Sequence, residues 1–280
     1  MSTVRPAQRG LLFLGCLLAF VRWEPAPYDL FLIIIFLLYA RGLTWKSYQL
    51  VFVVLLGPLL FTHVPALGAA LEVAPERTLY YSLVTLYLAL SSVFFMSLPE
   101  RSVPLLLLGY EVGALLSGLL GVLAFLRIPG LEDLLWGGSR AVAFFKDPNV
   151  FGAFLIPALF LALARLEQGR KFWILPALIL FLGVLVSLSR GAWANFAVAL
   201  LAWWLLRPRK RIWLPLVLLT LAGGVGSSVV VMPDNPIVQR LGFMPYDKER
   251  FFTQMEALSL ALTQPLGDGP GLSELHLSYA

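Results

Sequence analysis

The chain of 280 residues is 59% hydrophobic and only 13% charged, with a mean hydropathy of +0.84. These charged residues are too few to cover the surface of a soluble globular protein of 31.0 kDa. The composition therefore predicts an integral membrane protein. The net charge of +5 does not indicate a nucleic-acid partner, because the basic residues lie between apolar runs, as they do in the loops of membrane proteins.

Apolar runs predict about nine transmembrane helices, since one span needs about 20 apolar residues. The first two runs are short, which fits either tilted helices or a re-entrant pair and leaves the count open by one or two. The runs predict an all-α, polytopic helical bundle over residues 1–231. They lie at 10–22, 28–40, 48–67, 79–98, 103–126, 150–166, 172–188, 191–206 and 212–231.

The distribution of Lys and Arg predicts the orientation of this bundle. The short loops at 165–171 and 207–211 together hold seven basic residues and one acid. Such loops are typical of the cytoplasmic side, which also puts the N-terminus in the cytoplasm if there are nine spans. The loop before 150, the turn near 190 and the segment after 231 would then face outward.

One predicted span carries a small-residue stripe and a carboxylate. The stripe recurs every four residues, at Gly109, Gly113, Ser117 and Gly121, and predicts close contact with another helix. Glu111 lies on a different face of the same helix. An intramembrane carboxylate is a functional candidate, but a hydrogen-bonded structural role as the protonated acid is an equal alternative.

Residues 232–280 are rich in proline and charge and predict an outer-side segment. Asp247 is a candidate N-cap for a helix over about 247–263. This helix would lie on the membrane surface or on the helical bundle. Its apolar face comprises Phe251, Met255, Leu258 and Leu262.

The sequence has no pattern of metal ligands, phosphate-binding loop or nucleophile elbow. It contains only two histidines, His63 and His276, and one cysteine, Cys16. We therefore predict no metal and no cofactor, and look for function among polar and cationic groups at the outer face.

The first candidate is Arg190, in the segment Ser187–Ala192. It is the only charge in the apolar stretch 172–206, which is long enough for two spans joined by a tight outer turn. An arginine at such a place favours an anionic ligand. The alternative is an ordinary turn arginine that meets lipid phosphate.

The second candidate is the segment from Arg140 to Gly152, where Arg140 and Lys146 add positive charge to the outer face. Asp147 and Asn149 flank a proline in a pattern typical of a helix start. By itself this motif is most simply interpreted as a plain helix cap.

The third and fourth candidates lie in the outer segment. Arg250 is predicted in the first turn of the amphipathic helix, where it could share an anion with the helix N-terminus or simply be compensated by Asp247 and Glu249. A glycine-rich stretch containing Gly269 and Gly271 precedes His276, which could act as a base or donor, or have no special role.

In this order, the motifs resemble the O-antigen ligase and O-antigen polymerase family of bacterial membrane glycosyltransferases. The resemblance covers roughly residues 135–280. The matching residues are Arg140 with Phe145, Asp147-Pro148-Asn149, Ser189-Arg190-Gly191-Ala192, Arg250-Phe251, Pro265-Leu266-Gly267-Asp268-Gly269-Pro270-Gly271 and His276-Leu277-Ser278-Tyr279.

The resemblance implies a GT-C-like bundle in the bacterial inner membrane and a metal-independent glycosyltransferase of polysaccharide or lipopolysaccharide biosynthesis. An undecaprenyl-diphosphate-linked glycan would be the donor, and a hydroxyl of a glycan or of a lipid A-core-like molecule the acceptor. Arg190 and Arg250 would bind the donor diphosphate with help from Arg140 and Lys146, and His276 would act near the reacting centre.

Three departures accompany the resemblance. Ala143 stands where the family usually has glycine, and Leu277 where it usually has asparagine. The chain also ends at Ala280, inside the predicted outer segment, which leads us to expect a truncated or split gene product. The alternative functions are a membrane transporter or lipid-linked glycan flippase using Glu111, an assembly partner without chemistry, or an inactive fragment.

Overall fold

The computed structural model describes residues 6–39, 47–206 and 245–263, although some helical side chains, including that of Arg250, lie outside the description. The predicted span at 212–231 also lies outside it, as do Gly269, Gly271 and His276.

The described chain is mainly helical, as predicted. Only one two-stranded antiparallel hairpin interrupts the helices, with Trp136 paired to Arg140. The main elements are α1 (Pro6–Leu17), α2 (Pro27–Tyr39), α3 (Ser47–Val73), α4 (Pro75–Ser97), α5 (Val103–Phe125), β1 (Leu135–Trp136), β2 (Arg140–Ala141), α6 (Pro148–Glu167), α7 (Ile174–Val186), α8 (Arg190–Leu206) and α9 (Pro245–Thr263). Short 3₁₀ turns lie at Glu100–Ser102, Glu132–Leu134 and Lys171–Trp173.

Three helical stretches of the described residues are long and apolar enough to cross a membrane: Pro75–Ser97, Glu100–Phe125 and Pro148–Glu167. Two apolar helices are shorter, at Pro27–Tyr39 and Lys171–Val186. This composition indicates a membrane protein. The count of nine spans remains a prediction.

Several predicted boundaries were wrong; α4, for example, begins at Pro75 and not at 79. The first span was placed at 10–22, but α1 ends at Leu17, and the chain then becomes a connector whose Val21 N–H donates to the Phe144 carbonyl. The third span was ended at 67, but α3 continues to Val73. Pro75 then begins α4, in agreement with the preference of proline for a first helical turn.

The helices form two compact units, each described by itself. The first contains α1, α2, α5, the hairpin and α6–α8, and the second contains α3, α4 and α9. The candidate residues Arg140 and Arg190 belong to the first unit, while Arg250 belongs to the second.

Gly109 and Gly113 of the α5 stripe lie against α1, and Gly121 lies against Phe151 of α6, which confirms the predicted packing role of these three glycines. A Cβ atom on Gly113 would lie 2.5 Å from the carbonyl oxygen of Cys16, and one on Gly109 would overlap the backbone of Leu12. Only hydrogen fits at these positions, so the two backbones can touch.

Glu111 faces away from α1 and forms an ion pair with Arg165 of α6. Oε2 of Glu111 lies 2.6 Å from Nη1 of Arg165, and the carboxylate is 4% exposed. The guanidinium carbon also lies 4.1 Å from the centre of the Trp173 ring, a cation–π contact. The contact with Arg165 gives Glu111 a structural partner, in agreement with the predicted structural role, and the protonated form of the acid stays a prediction.

In the second unit, α3 and α4 pack together and share a buried polar contact. The amide nitrogen Nε2 of Gln49 donates to Oγ of Ser97 at 2.5 Å. Helix α9 begins at Pro245, two residues before the predicted start, so Asp247 lies within the helix rather than at its N-cap. Within the described chain, the predicted apolar face of α9 is exposed at Phe251, Met255, Leu258 and Leu262.

Candidate functional site

Helix α6 begins with a side-chain cap, as its sequence predicted. Oδ1 of Asp147 accepts the backbone N–H of Asn149 at 2.6 Å, with Pro148 in the first turn. Just before this cap, Phe145 is buried and packs on Phe151 at a ring-centroid distance of 5.8 Å. The aromatic contact fixes the entry of the chain into α6.

Helix α8 begins with a second cap, after a turn of only three residues. Oγ of Ser189 accepts the backbone N–H of Ala192 at 3.1 Å, and α8 starts at Arg190. Leu188 in the turn has φ +48°, a left-handed conformation that lets the chain reverse direction sharply. The predicted pair of helices with a tight turn between them is thereby confirmed, although its outward orientation is not tested.

The structure brings these two helix starts together. Asn149 Oδ1 accepts hydrogen bonds from Oγ of Ser189 at 2.7 Å and from Nη2 of Arg140 at 3.3 Å. Arg140 Nε also donates to the carbonyl oxygen of Ser187 at 3.3 Å. Motifs separated by about 40 residues in sequence thus meet at one place in the fold.

A glycine permits this close approach. A Cβ atom on Gly152 of α6 would lie 2.6 Å from Oγ of Ser187 and 2.7 Å from Cβ of Ala192. Any larger residue at this position would push the α7–α8 turn away from α6. Gly152 is the last residue of the Arg140 motif, which gives that end of the motif a packing role.

The electrostatics of this cluster favour an anion. It contains the N-terminal ends of α6 and α8, both with positive dipole ends, together with the half-buried Arg140 and Arg190. The carboxylate of Asp147 already compensates the start of α6. The first turn of α8 contains no acid. A cation at a helix N-terminus opposes the helix dipole, and an anion bound there would make both favourable.

Lys146, the other predicted cation of this motif, forms an ion pair with Glu24. Glu24 belongs to the connector after α1, whose Arg22 also donates to the carbonyl oxygen of Asp133 at 2.7 Å. An anion at Lys146 would have to compete with that carboxylate. A direct role of Lys146 in binding the donor stays a prediction.

The remaining predicted residues cannot be added to the cluster. Arg250 is the sixth residue of α9, so it is not in the first turn as predicted, because the helix starts earlier. His276, Gly269 and Gly271 lie outside the described residues. Whether these groups meet Arg190 stays a prediction.

Within the described ranges, no group of three or more His, Cys, Asp or Glu side chains is arranged to hold a metal ion. The side chains that converge here are arginine, asparagine and serine, which suit an oxyanion rather than a cation.

Sequence reasoning missed the cap formed by Ser189 and the partner of Glu111. A serine before a long apolar helical run is a start signal that could have identified the cap. Arg165 was assigned to a cytoplasmic loop because of its neighbours Arg170 and Lys171, whereas it lies in the last turn of α6.

Comparison of the chain with protein-family models, with curated proteins and with solved structures gives no match. The resemblance to O-antigen ligases therefore depends on the motifs themselves.

Proposed function

We propose that this protein transfers a glycan from an undecaprenyl-diphosphate donor to an acceptor hydroxyl, as an O-antigen ligase or polysaccharide polymerase does. One observation carries the proposal: the Arg140 and Arg190 motifs, far apart in sequence, lie together at the N-terminal ends of α6 and α8. The family resemblance suggests the identity of the ligand, and the two arginines beside two helix N-terminal ends support a ligand that carries negative charge.

The chemistry follows from the leaving group. The acceptor oxygen attacks the anomeric carbon of the donor sugar, and the bond from that carbon to the phosphate oxygen breaks. The lipid diphosphate leaves with the bonding electrons, and the hydroxyl proton passes to a base, for which His276 is our candidate. Fixed cations stabilise the growing charge on the diphosphate, and arginine does so in bidentate fashion.

We expect Arg190→Lys to lower kcat/KM for the lipid-linked donor by about tenfold or more, although the charge is kept, because lysine cannot reproduce a bidentate guanidinium contact. Glycan transfer in membrane vesicles measures this. Arg170→Lys, at an exposed position, is the matched control and should leave transfer unchanged. Near-normal transfer by Arg190→Lys would contradict the proposal.

The transporter alternative has its own discriminating test. Loss of transfer in Arg250→Ala with retention in Glu111→Gln, both normalised to folded protein, supports the enzyme. The reverse pattern, together with loss of lipid-linked glycan movement across the vesicle, supports a transporter. The ion pair of Glu111 with Arg165 gives the carboxylate a structural partner and so favours the enzyme.

A further inference from the structure

Asn149 lies where the Arg140 motif meets the Arg190 motif, and one oxygen of its side chain accepts hydrogen bonds from both. Its Oδ1 accepts from Nη2 of Arg140 and from Oγ of Ser189. Arginine has only donors, so the acceptor oxygen of the Asn149 amide must face Arg140, and the Ser189 hydroxyl, whose oxygen accepts the N–H of Ala192, donates its own hydrogen to the same atom. The oxygen of the Asn149 amide must therefore face both partners, which fixes the orientation of the amide.

A second bond completes a ring around the guanidinium. Nε of Arg140 donates to the carbonyl oxygen of Ser187, and the backbone from Ser187 to Ser189 leads back to Asn149. A planar guanidinium held at two nitrogens has a fixed plane. Arg140 lies on a two-residue strand and is half-exposed, and fixing its long side chain in one rotamer costs conformational entropy that these bonds help to offset.

We propose that Asn149 is the positioning residue of this site. It orients the Arg140 guanidinium and couples it to the capped N-terminus of α8, so that an anion meets one preorganised unit. The inference rests on the proposed function, in which that anion is the diphosphate of the donor. Groups fixed in advance stabilise charge without reorganising during the reaction.

The positioning role is tested by the reactivity of Arg140 toward phenylglyoxal, in the full chain in membrane vesicles, followed by peptide mass spectrometry. Asn149→Leu removes the acceptor, and we expect the modification rate of Arg140 to rise about tenfold, as the loss of a hydrogen bond to a charged group predicts. Asn149→Asp keeps an acceptor and should not raise the rate. An unchanged rate in Asn149→Leu would overturn the proposal.

The chain offers a matched control for this substitution. Asn195 lies on the same helix as Arg190, is exposed and takes no part in the ring. Asn195→Leu should leave the Arg140 rate and the transfer activity unchanged. Thermal unfolding of both leucine variants checks that a faster reaction does not reflect general unfolding.

A second measurement separates this inference from the proposed function. Inorganic pyrophosphate should slow the modification of Arg140. In Asn149→Leu, the pyrophosphate concentration that gives half-maximal protection should rise about tenfold. If pyrophosphate gives no protection but Asn149→Leu still speeds the modification, the diphosphate function fails and the positioning role stands. If pyrophosphate protects Arg140 but Asn149→Leu does not change its modification rate, the positioning role fails and the diphosphate function stands.

The two roles also differ in transfer assays. If Asn149 acts through Arg140, substituting Asn149 should not reduce transfer any further in a protein that already lacks the Arg140 side chain. Asn149→Leu should lower kcat/KM for the donor about tenfold alone, but cause no further loss in Arg140→Ala. Independent, multiplicative losses would show that Asn149 acts by another route.

Discussion

At the scale of single residues, the backbone before Phe145 shows why glycine is expected at position 143, where this chain has alanine. Ala143 has φ +47°, a left-handed conformation that costs most residues about 1–2 kcal/mol and glycine very little. The position at which the resemblance leads us to expect glycine is thus a position that favours glycine in this fold. Alanine here keeps a buried methyl group at the cost of backbone strain.

This strain predicts a difference between two neighbouring glycine variants. Ala141 and Ala143 are both fully buried, but of the two only Ala143 has a positive φ. Each glycine variant loses a similar methyl contact and gains similar unfolded-state entropy. Ala143→Gly should therefore be more stable than Ala141→Gly by about 1–2 kcal/mol in thermal unfolding. Equal stability would contradict the strain argument.

A second residue-scale prediction concerns the buried ion pair. Glu111→Gln leaves Arg165 without its counter-charge in an apolar interior, and we expect a loss of about 3–5 kcal/mol in unfolding free energy. The double variant Glu111→Leu with Arg165→Met should lose less unfolding free energy than Glu111→Gln, because no buried charge then lacks a partner. Glu72→Gln, at an exposed position, is the control. A double variant less stable than Glu111→Gln would contradict the argument that the uncompensated charge of Arg165 is what lowers stability.

At the scale of helices, each helix start in the candidate site serves two purposes. The cap of α6 also places Asn149, and the cap of α8 also donates to Asn149. Asn149 and Ser189, which take part in the capping bonds of their own helices, are therefore also the residues that join the two helices. Any change that moves α6 relative to α8 would also move Arg140.

The packing of α1 on α5 gives an element-scale prediction. Gly109→Ala would force the α1 and α5 backbones apart, and overpacking of this kind costs about 1–3 kcal/mol or more. Gly118, on the same helix, is the control, since a Cβ atom there would lie 3.7 Å from its nearest neighbours, at ordinary contact distance. Gly118→Ala should be neutral or slightly stabilising, because alanine favours helix. Thermal unfolding in detergent distinguishes the two outcomes.

At the scale of the whole molecule, function depends on which side of the membrane each end of α6 faces. The helix has 20 residues, and at 1.5 Å per residue it spans about 30 Å, the thickness of a bilayer core. The residues at its start belong to the candidate site, and Arg165 with its basic neighbours lies at its end. The positive-inside rule predicts the end in the cytoplasm and the site outside.

Cysteine labelling tests this orientation in intact cells. Cys16 is first replaced by serine, since it is the only native cysteine. Exposed positions on either side of α6 then receive single cysteines, as Ser139→Cys and Gln168→Cys. A membrane-impermeant maleimide should label position 139 from outside and position 168 only after permeabilisation. The reverse pattern would place the site in the cytoplasm and exclude a periplasmic transferase.

The class of protein, the presence of most of the helices and the small-residue face of α5 could be predicted from the amino-acid sequence alone. Each follows from local composition and periodicity, because apolar runs need a bilayer and small residues allow contact. It also identified Arg140, Asn149 and Arg190 as residues of interest, each in its own motif.

Only the tertiary structure decided which of these residues are neighbours. The bond from Asn149 to Ser189 joins residues 40 apart, and the pair of Glu111 with Arg165 joins two helices. Periodicity describes one helix at a time, so it cannot say which face meets which helix or at what height. Those contacts depend on how α5, α6 and the α7–α8 turn pack, and glycine positions such as Gly152 set that packing through the space they leave.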